Sequence, residues 1–134
     1  MANSARFLKL HTLSNRKLGV TGFCWGGGTT NYLATVFGPD LQAAVPYYGA
    51  AAETASVPNI KAPLLIHYAE VDERINAMWP AYETALKAAS VTYTMYTYPG
   101  TQHGFHNNST PRYEEAAAKL AWERTIVFFR TNLA

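Results

Sequence analysis

A single cysteine, Cys24, stands in 134 residues, so the chain has nothing to pair it with. An internal disulfide framework and a multi-cysteine zinc site are both excluded. No run of five or more like charges occurs, and 11 basic against 9 acidic residues leave a net charge of +2. That scatter gives no electrostatic footprint for nucleic acid. No apolar stretch approaches the ~20 residues that a membrane helix needs, and the start, Met1 to Arg6, lacks the apolar core of a signal peptide. Repeats, low-complexity tracts and linker-like boundaries are missing too. The expectation is one domain over residues 1–134, cytoplasmic, with neither a nucleic-acid nor a membrane partner.

What is present is the composition of a soluble globule: 49% hydrophobic, 15% charged and 13% aromatic, with nine tyrosines and a mean hydropathy of −0.13. The pattern along the chain alternates. Residues 3–14 read as a short amphipathic helix carrying Ala5 and Leu8, ended by Asn15. Lys17 to Phe23 reads as a strand, and a helical stretch runs from the glycines at 26–28 to Phe37, where Gly38-Pro39 stops it. Ala43 to Tyr48 has the length and apolarity of a buried strand, and residues 49–60 read as loop. Pro63 to Tyr68 is apolar without alternation, as a strand covered on both faces would be. Pro80 suits the first turn of a helix that carries Tyr82, Ala85, Leu86 and Ala89. Val91 to Tyr98 is rich in the residues that strands prefer. Thr110-Pro111 reads as a cap and first turn of a last helix that includes Tyr113. Four strands alternating with helices predict an α/β fold, a parallel sheet flanked by helices. In such a sheet the chemistry gathers at the strand C-terminal ends, here the turns after Phe23, Tyr68 and Tyr98.

The first of those turns is Gly22-Phe23-Cys24-Trp25-Gly26. A strand that reverses sharply into a helix strains its central residue, and the residues two positions away must be small. The side chain is then lifted clear of the sheet at a helix N-terminus, where partial positive charge stabilises an anion. The backbone N–H of Trp25 is left free to face a developing oxyanion. Cys24 is therefore the candidate nucleophile.

The second turn carries Glu70, Asp72 and Glu73, and the distance from the strand favours Asp72 as the acid that orients a histidine. The third carries His103 and His106, with His103 favoured as base because Gly104 beside it permits close approach. His11 and His67 fall in a helix and in a buried strand and read as structural. No third ligand accompanies His103 and His106, so a metal is not expected. The order nucleophile, acid, base at 24, 72 and 103, each after a successive strand, is that of the α/β-hydrolases.

The segments Thr21–Gly28, Val45-Pro46-Tyr47-Tyr48-Gly49, Asp72–Asn76 and Tyr98–Phe105 together resemble the dienelactone hydrolase (carboxymethylenebutenolidase) family. The resemblance covers nearly the whole chain but only the C-terminal half of the family. It implies a partial α/β-hydrolase fold that lacks the N-terminal strands. It further implies a Cys24-His103-Asp72 triad that hydrolyses a small carboxylic ester or lactone through an acyl-thioenzyme, with no cofactor. By analogy Tyr48 and Phe105 lie in the substrate pocket. Asn107 stands where the family carries a substrate-binding arginine, and the loop that donates the second oxyanion N–H belongs to the other half. A truncated sheet leaves strand 17–23 as an open edge, which predicts a homo-oligomer. The alternative function is a catalytically silent module that self-associates through that edge, and a thiol redox sensor at Cys24 is a third reading.

Overall fold

The computed structural model describes residues 1–134. The elements are α1 (Ala2–Leu10), β1 (Gly19–Phe23), α2 (Trp25–Phe37), β2 (Ala43–Tyr47), β3 (Leu64–Val71), α3 (Glu73–Asn76), α4 (Trp79–Ala88), β4 (Tyr93–Gln102) and α5 (Glu115–Leu133), with short 3-10 turns at Gly38–Asp40 and Thr54–Asn59. The four strands form one parallel sheet in the order β1-β2-β3-β4. The predicted α/β fold of four parallel strands flanked by helices is thus the observed one. No helix is long and apolar enough to cross a membrane.

The central strands explain their own sequences. All five residues of β2 and the first six of β3 are buried, because helices cover the sheet on both faces. On one face Leu33 and Phe37 of α2, Val57 and Ile60, and Tyr82 and Leu86 of α4 pack with Leu64, Ile66 and Tyr68 of β3. On the other, α5 buries Ala118, Ala121 and Thr125, and Ala121 packs in a cluster with Val45, Tyr47, Leu65 and Ala69. A fully buried aliphatic side chain of this kind contributes about 1.5–3 kcal/mol.

Several boundaries differ from the sequence reading. The first helix stops at Leu10 rather than at residue 14, because side chains capture the backbone beyond it. His11 Nδ1, Ser14 Oγ and Asn15 Oδ1 accept from the N–H groups of Leu13, Arg16 and Lys17, and such local bonds compete with the helix. His11 therefore caps that helix rather than lying in it. The last helix starts at Glu115, not at Thr110-Pro111. Thr110 donates its hydroxyl back to the Asn107 carbonyl and caps nothing, and Tyr113 stays outside the helix. Part of the loop at 49–60 is a 3-10 turn, and α3 had no counterpart in the pattern.

The consequential difference is length. β3 continues to Val71 and β4 to Gln102, past the expected ends at Tyr68 and Tyr98. An irregularity between Ala69 and Val71 lets the pairing resume at Val71↔Gln102. Glu70 Oε2 accepts from the Gly100 N–H at 2.7 Å there, and Gly100 takes the left-handed backbone that glycine tolerates.

Candidate active site

Register alone brings the candidate residues together. Val71 pairs with Gln102 in parallel, so the next residue of each strand, Asp72 and His103, leave the sheet side by side. Phe23 pairs with Tyr47, which sets Cys24 beside Tyr48 by the same logic.

Cys24 sits between β1 and α2 with φ 56° and ψ −116°, a strained conformation for a residue with a side chain, costing about 1–3 kcal/mol. The surrounding bonds hold it there. Its N–H donates to the Tyr47 carbonyl at 3.0 Å and its carbonyl accepts from the Gly28 N–H at 3.1 Å. A Cβ on Gly22 would lie 2.2 Å from the Gly26 carbonyl oxygen, whereas one on Gly26 would meet nothing within 4 Å. Smallness is thus required at Gly22 and not at Gly26, which corrects the symmetric expectation. A comparable demand lies at Gly27 and Gly49, where a Cβ on either would come within 2.4 Å of the facing backbone. That close approach seats the start of α2 on the end of β2. The Trp25 N–H makes no backbone hydrogen bond.

Asp72 caps α3. Its Oδ1 accepts from the Ile75 N–H at 3.4 Å, and Oδ2 lies 2.5 Å from His103 Nδ1. The Asp72 side chain is 7% exposed and that of His103 23%. A carboxylate only accepts, so the proton sits on Nδ1 and Nε2 is left as an acceptor. Nε2 lies 3.1 Å from Cys24 Sγ. Asn76 donates to the carbonyls of Ala69 and Glu70, both at 3.0 Å, and pins α3 against the end of β3. Nothing in residue type alone singles out Asn76 for this, although it closes the Asp72–Asn76 segment.

The other candidates divide. Glu70 is spent on Gly100, and Glu73 opens α3. His106 makes no side-chain hydrogen bond to Cys24 or Asp72; its ring lies 4.9 Å from Phe23 and 5.2 Å from Tyr47, and burial lowers its pKa. Tyr48 is buried with its ring 5.0 Å from that of His103. Its own burial, then the nearby Cys24, pushes its hydroxyl up to about 12. Phe105 is fully buried against Tyr48 and Tyr98. Tyr48 thus packs against His103, Phe105 supports Tyr48 from behind, and neither lines the groove at Cys24. Asn107 Oδ1 accepts from the N–H and hydroxyl of Ser109 and is held within its own loop.

Behind the site runs a buried polar chain that the sequence reading did not find. Arg124 stacks on Tyr96 at 3.6 Å and donates to the Tyr98 hydroxyl at 3.1 Å. That hydroxyl donates to His67 Nδ1 at 2.9 Å, leaving Nε2–H to donate to Thr125 Oγ1 at 3.1 Å. Thr125 donates on to the Ala121 carbonyl, and Tyr47 closes the chain. Burial, with Arg124's charge second, drives the His67 pKa down to about 3.

Two grooves flank the elbow. One, of about 390 Å³, is lined by Cys24, Trp25, Tyr32, Arg74 and Ile75 among others. The second, of about 470 Å³, is lined by Phe23, His106, Tyr113, Lys119 and Trp122 among others and does not reach Cys24.

Comparison with known proteins gives consistent matches. The family model described as the dienelactone hydrolase family matches residues 2–133. Protein usf of Aquifex pyrophilus is 36% identical over 135 residues, covering 97% of this chain and 58% of its own. A Salmonella typhi protein provisionally named carboxymethylenebutenolidase is 33% identical over 124 residues, covering 84% of this chain and 46% of its own. The crystal structure of a protein provisionally assigned as a dienelactone hydrolase from Klebsiella pneumoniae superposes with a TM-score of 0.86 at 29% identity, over 96% of this chain and 58% of that one. The chain spans about half the length of the relatives it matches.

Proposed function

The chain belongs to the dienelactone hydrolase family, and we propose that it cleaves a small carboxylic ester or lactone through an acyl-thioenzyme on Cys24, with His103 as base and Asp72 as its orienting acid. The observation that carries this reading is the continuous contact from Asp72 to His103 to the sulfur of a strained cysteine. His103 Nε2 takes the thiol proton as Sγ attacks the carbonyl carbon. Asp72 stabilises the imidazolium that forms. The oxygen of the tetrahedral intermediate becomes an anion facing the Trp25 N–H. Collapse breaks the bond to the alcohol oxygen, which takes the proton from His103; in a lactone that alcohol stays tethered to the acyl group. Water then gives a proton to His103 and its hydroxide adds to the thioester, and the second collapse returns the proton to sulfur and frees the acid. Each step balances without a cofactor.

The test is turnover of para-nitrophenyl acetate by the 134-residue chain under reducing conditions, beside Cys24→Ala. Many product molecules per chain from the wild type, with the variant at the uncatalysed rate, is the expected result. Equal rates in both would overturn the proposal and leave the silent module as the better reading.

A second proposal rests on the open edge. Leu18 and Cys24 bond to the β2 side, so alternation turns the backbone groups of Gly19, Thr21 and Phe23 outward. We infer that a second copy of the chain meets β1 there and supplies the second oxyanion donor.

A further inference from the structure

We propose that Asn76 is a positioning residue for the reaction: its amide closes the loop that aims Asp72 at His103. The inference rests on the hydrolase reading above for its chemistry, and on the exit of β3 for its geometry. β2 ends at Tyr47, and its last contribution to the ladder is the Tyr48 N–H, which donates to the His67 carbonyl at 2.7 Å. Strand alternation turns the Ala69 carbonyl to the same side, where β2 has no further residue to offer. The Asn76 side chain takes that place. Its Nδ2 donates to the carbonyls of Ala69 and Glu70, both at 3.0 Å, so an amide from α3 continues the ladder that β2 leaves off. These carbonyls belong to the irregular stretch between Ala69 and Val71, the last of the strand before Asp72.

The consequence falls on Asp72, which lies inside the loop that Asn76 closes. α3 is a single turn of four residues, too short to hold its shape unaided. Ile75 roots it in the core, but an apolar contact is non-directional, whereas a hydrogen bond fixes distance and angle. The Asp72 carboxylate is weakly held on its own helix, where Oδ1 reaches the Ile75 N–H only at 3.4 Å, beyond the usual range. Its other oxygen, Oδ2, is the one in contact with His103 Nδ1. That contact depends on where the Asp72 backbone stands, and the two bonds from Asn76 set its place. Asn76 does not line the groove at Cys24, and its side chain bonds neither Cys24 nor His103. Its effect on the reaction therefore passes through Asp72.

The experiment measures para-nitrophenyl acetate hydrolysis by wild type, Asn76→Ala, Asp72→Asn and the double variant, each checked for folding by near-UV circular dichroism. Misplacing a catalytic group by about 1 Å costs on the order of 10²-fold, so Asn76→Ala should lower kcat by roughly 10- to 100-fold with KM changed less than about 3-fold. The double variant should be no more than about 3-fold slower than Asp72→Asn, because the tether then has nothing left to aim. Full multiplication of the two losses, or an unchanged kcat in Asn76→Ala, would overturn the assignment. Asn76→Gln keeps the donor and should recover part of the rate, whereas Asn76→Asp has the same shape, presents only acceptors to the two carbonyls and should recover none. Should Asn76→Ala not fold, this pair decides, and equal rates in the two would refute the role. One readout needs no turnover. The His103 Nδ1 proton, identified by its loss in His103→Gln, gives a low-field resonance that should move upfield or vanish in Asn76→Ala as in Asp72→Asn; an unmoved resonance would refute the role. A wild type that hydrolyses nothing would end the hydrolase reading only, and the resonance would then decide for Asn76.

Discussion

His67 gives the sharpest test of the structure that supports the site. It lies fully buried in β3, accepts from Tyr98 through Nδ1 and donates to Thr125 through Nε2. A proton added to Nδ1 would set donor against donor beside the Arg124 charge. Burial is the larger cause and Arg124 the next, and together they lower its pKa from 6.5 to about 3. The sign follows. The unfolded chain binds this proton below about pH 6.5 and the folded chain does not. Stability is therefore complete above that value and is lost as pH falls, down to the folded pKa.

The magnitude is set by the gap. Going from about pH 7.5 to about pH 4.5 crosses roughly two units below the unfolded pKa, at 1.36 kcal/mol each, so His67 alone should cost about 2–3 kcal/mol. For a chain of this size that lowers Tm by roughly 10 °C. The half-buried His106 acts in the same direction, so the measurement is a difference. Urea unfolding of wild type and His67→Gln is followed at both pH values and one protein concentration. The variant starts less stable by about 1–3 kcal/mol and should lose about 2–3 kcal/mol less than wild type on acidification. Parallel losses would refute the reasoning. Imidazole proton resonances give an independent reading, and a His67 midpoint near 6.5 in the folded protein would refute it as well.

Three further outcomes follow from the site. Gly22→Ala forces a Cβ into the Gly26 backbone and should cost more than about 3 kcal/mol in chemical unfolding, whereas Gly26→Ala should stay within about 1 kcal/mol; similar costs for both would contradict the elbow geometry. Asp72→Asn leaves His103 without the partner that fixes its tautomer and should lower kcat by on the order of 10²–10⁴ with KM little changed, measured on a neutral activated ester; unchanged kcat would remove Asp72 from the mechanism. Sedimentation over a wide dilution range should reveal a dimer, with specific activity falling by about 10²–10³ as it dissociates if β1 brings in the second oxyanion donor; a monomer at every concentration would end the second proposal.

Fold class, strand number and the elbow were legible because each is written in local sequence. A continuous apolar run such as Pro63–Tyr68 has few uses besides a buried strand, and Gly22 ahead of Cys24 marks a reversal that a larger residue resists. Asp72 was separable from Glu70 by distance from the strand alone. The strand ends were not legible. Pro99-Gly100 reads as a terminator, yet Glu70 bonds the Gly100 N–H across the irregularity and the ladder resumes at Gln102. The false helix start at Thr110 failed for the same reason, since the hydroxyl found a carbonyl in its own loop. The chain from Arg124 to Tyr47 was invisible because its members come from β2, β3, β4 and α5, and no spacing within one element records their meeting.

That chain also explains how a sheet of four strands can hold its chemistry in register. Asp72 and His103 depend on the β3–β4 pairing, and Cys24 depends on β1 against β2 through the Gly27–Gly49 contact. Thr125, Tyr47 and Tyr98 tie β2 and β4 to α5 through His67, which holds the two halves of the site at one spacing. Every one of these contacts lies on the β2 side of β1 or beyond. Cys24, His103 and Asp72 can therefore stay aligned whatever occupies the open edge, while the proposed second oxyanion donor, brought in across β1, cannot. Alignment and transition-state stabilisation separate at that strand, which is why thiol geometry and turnover need to be measured independently.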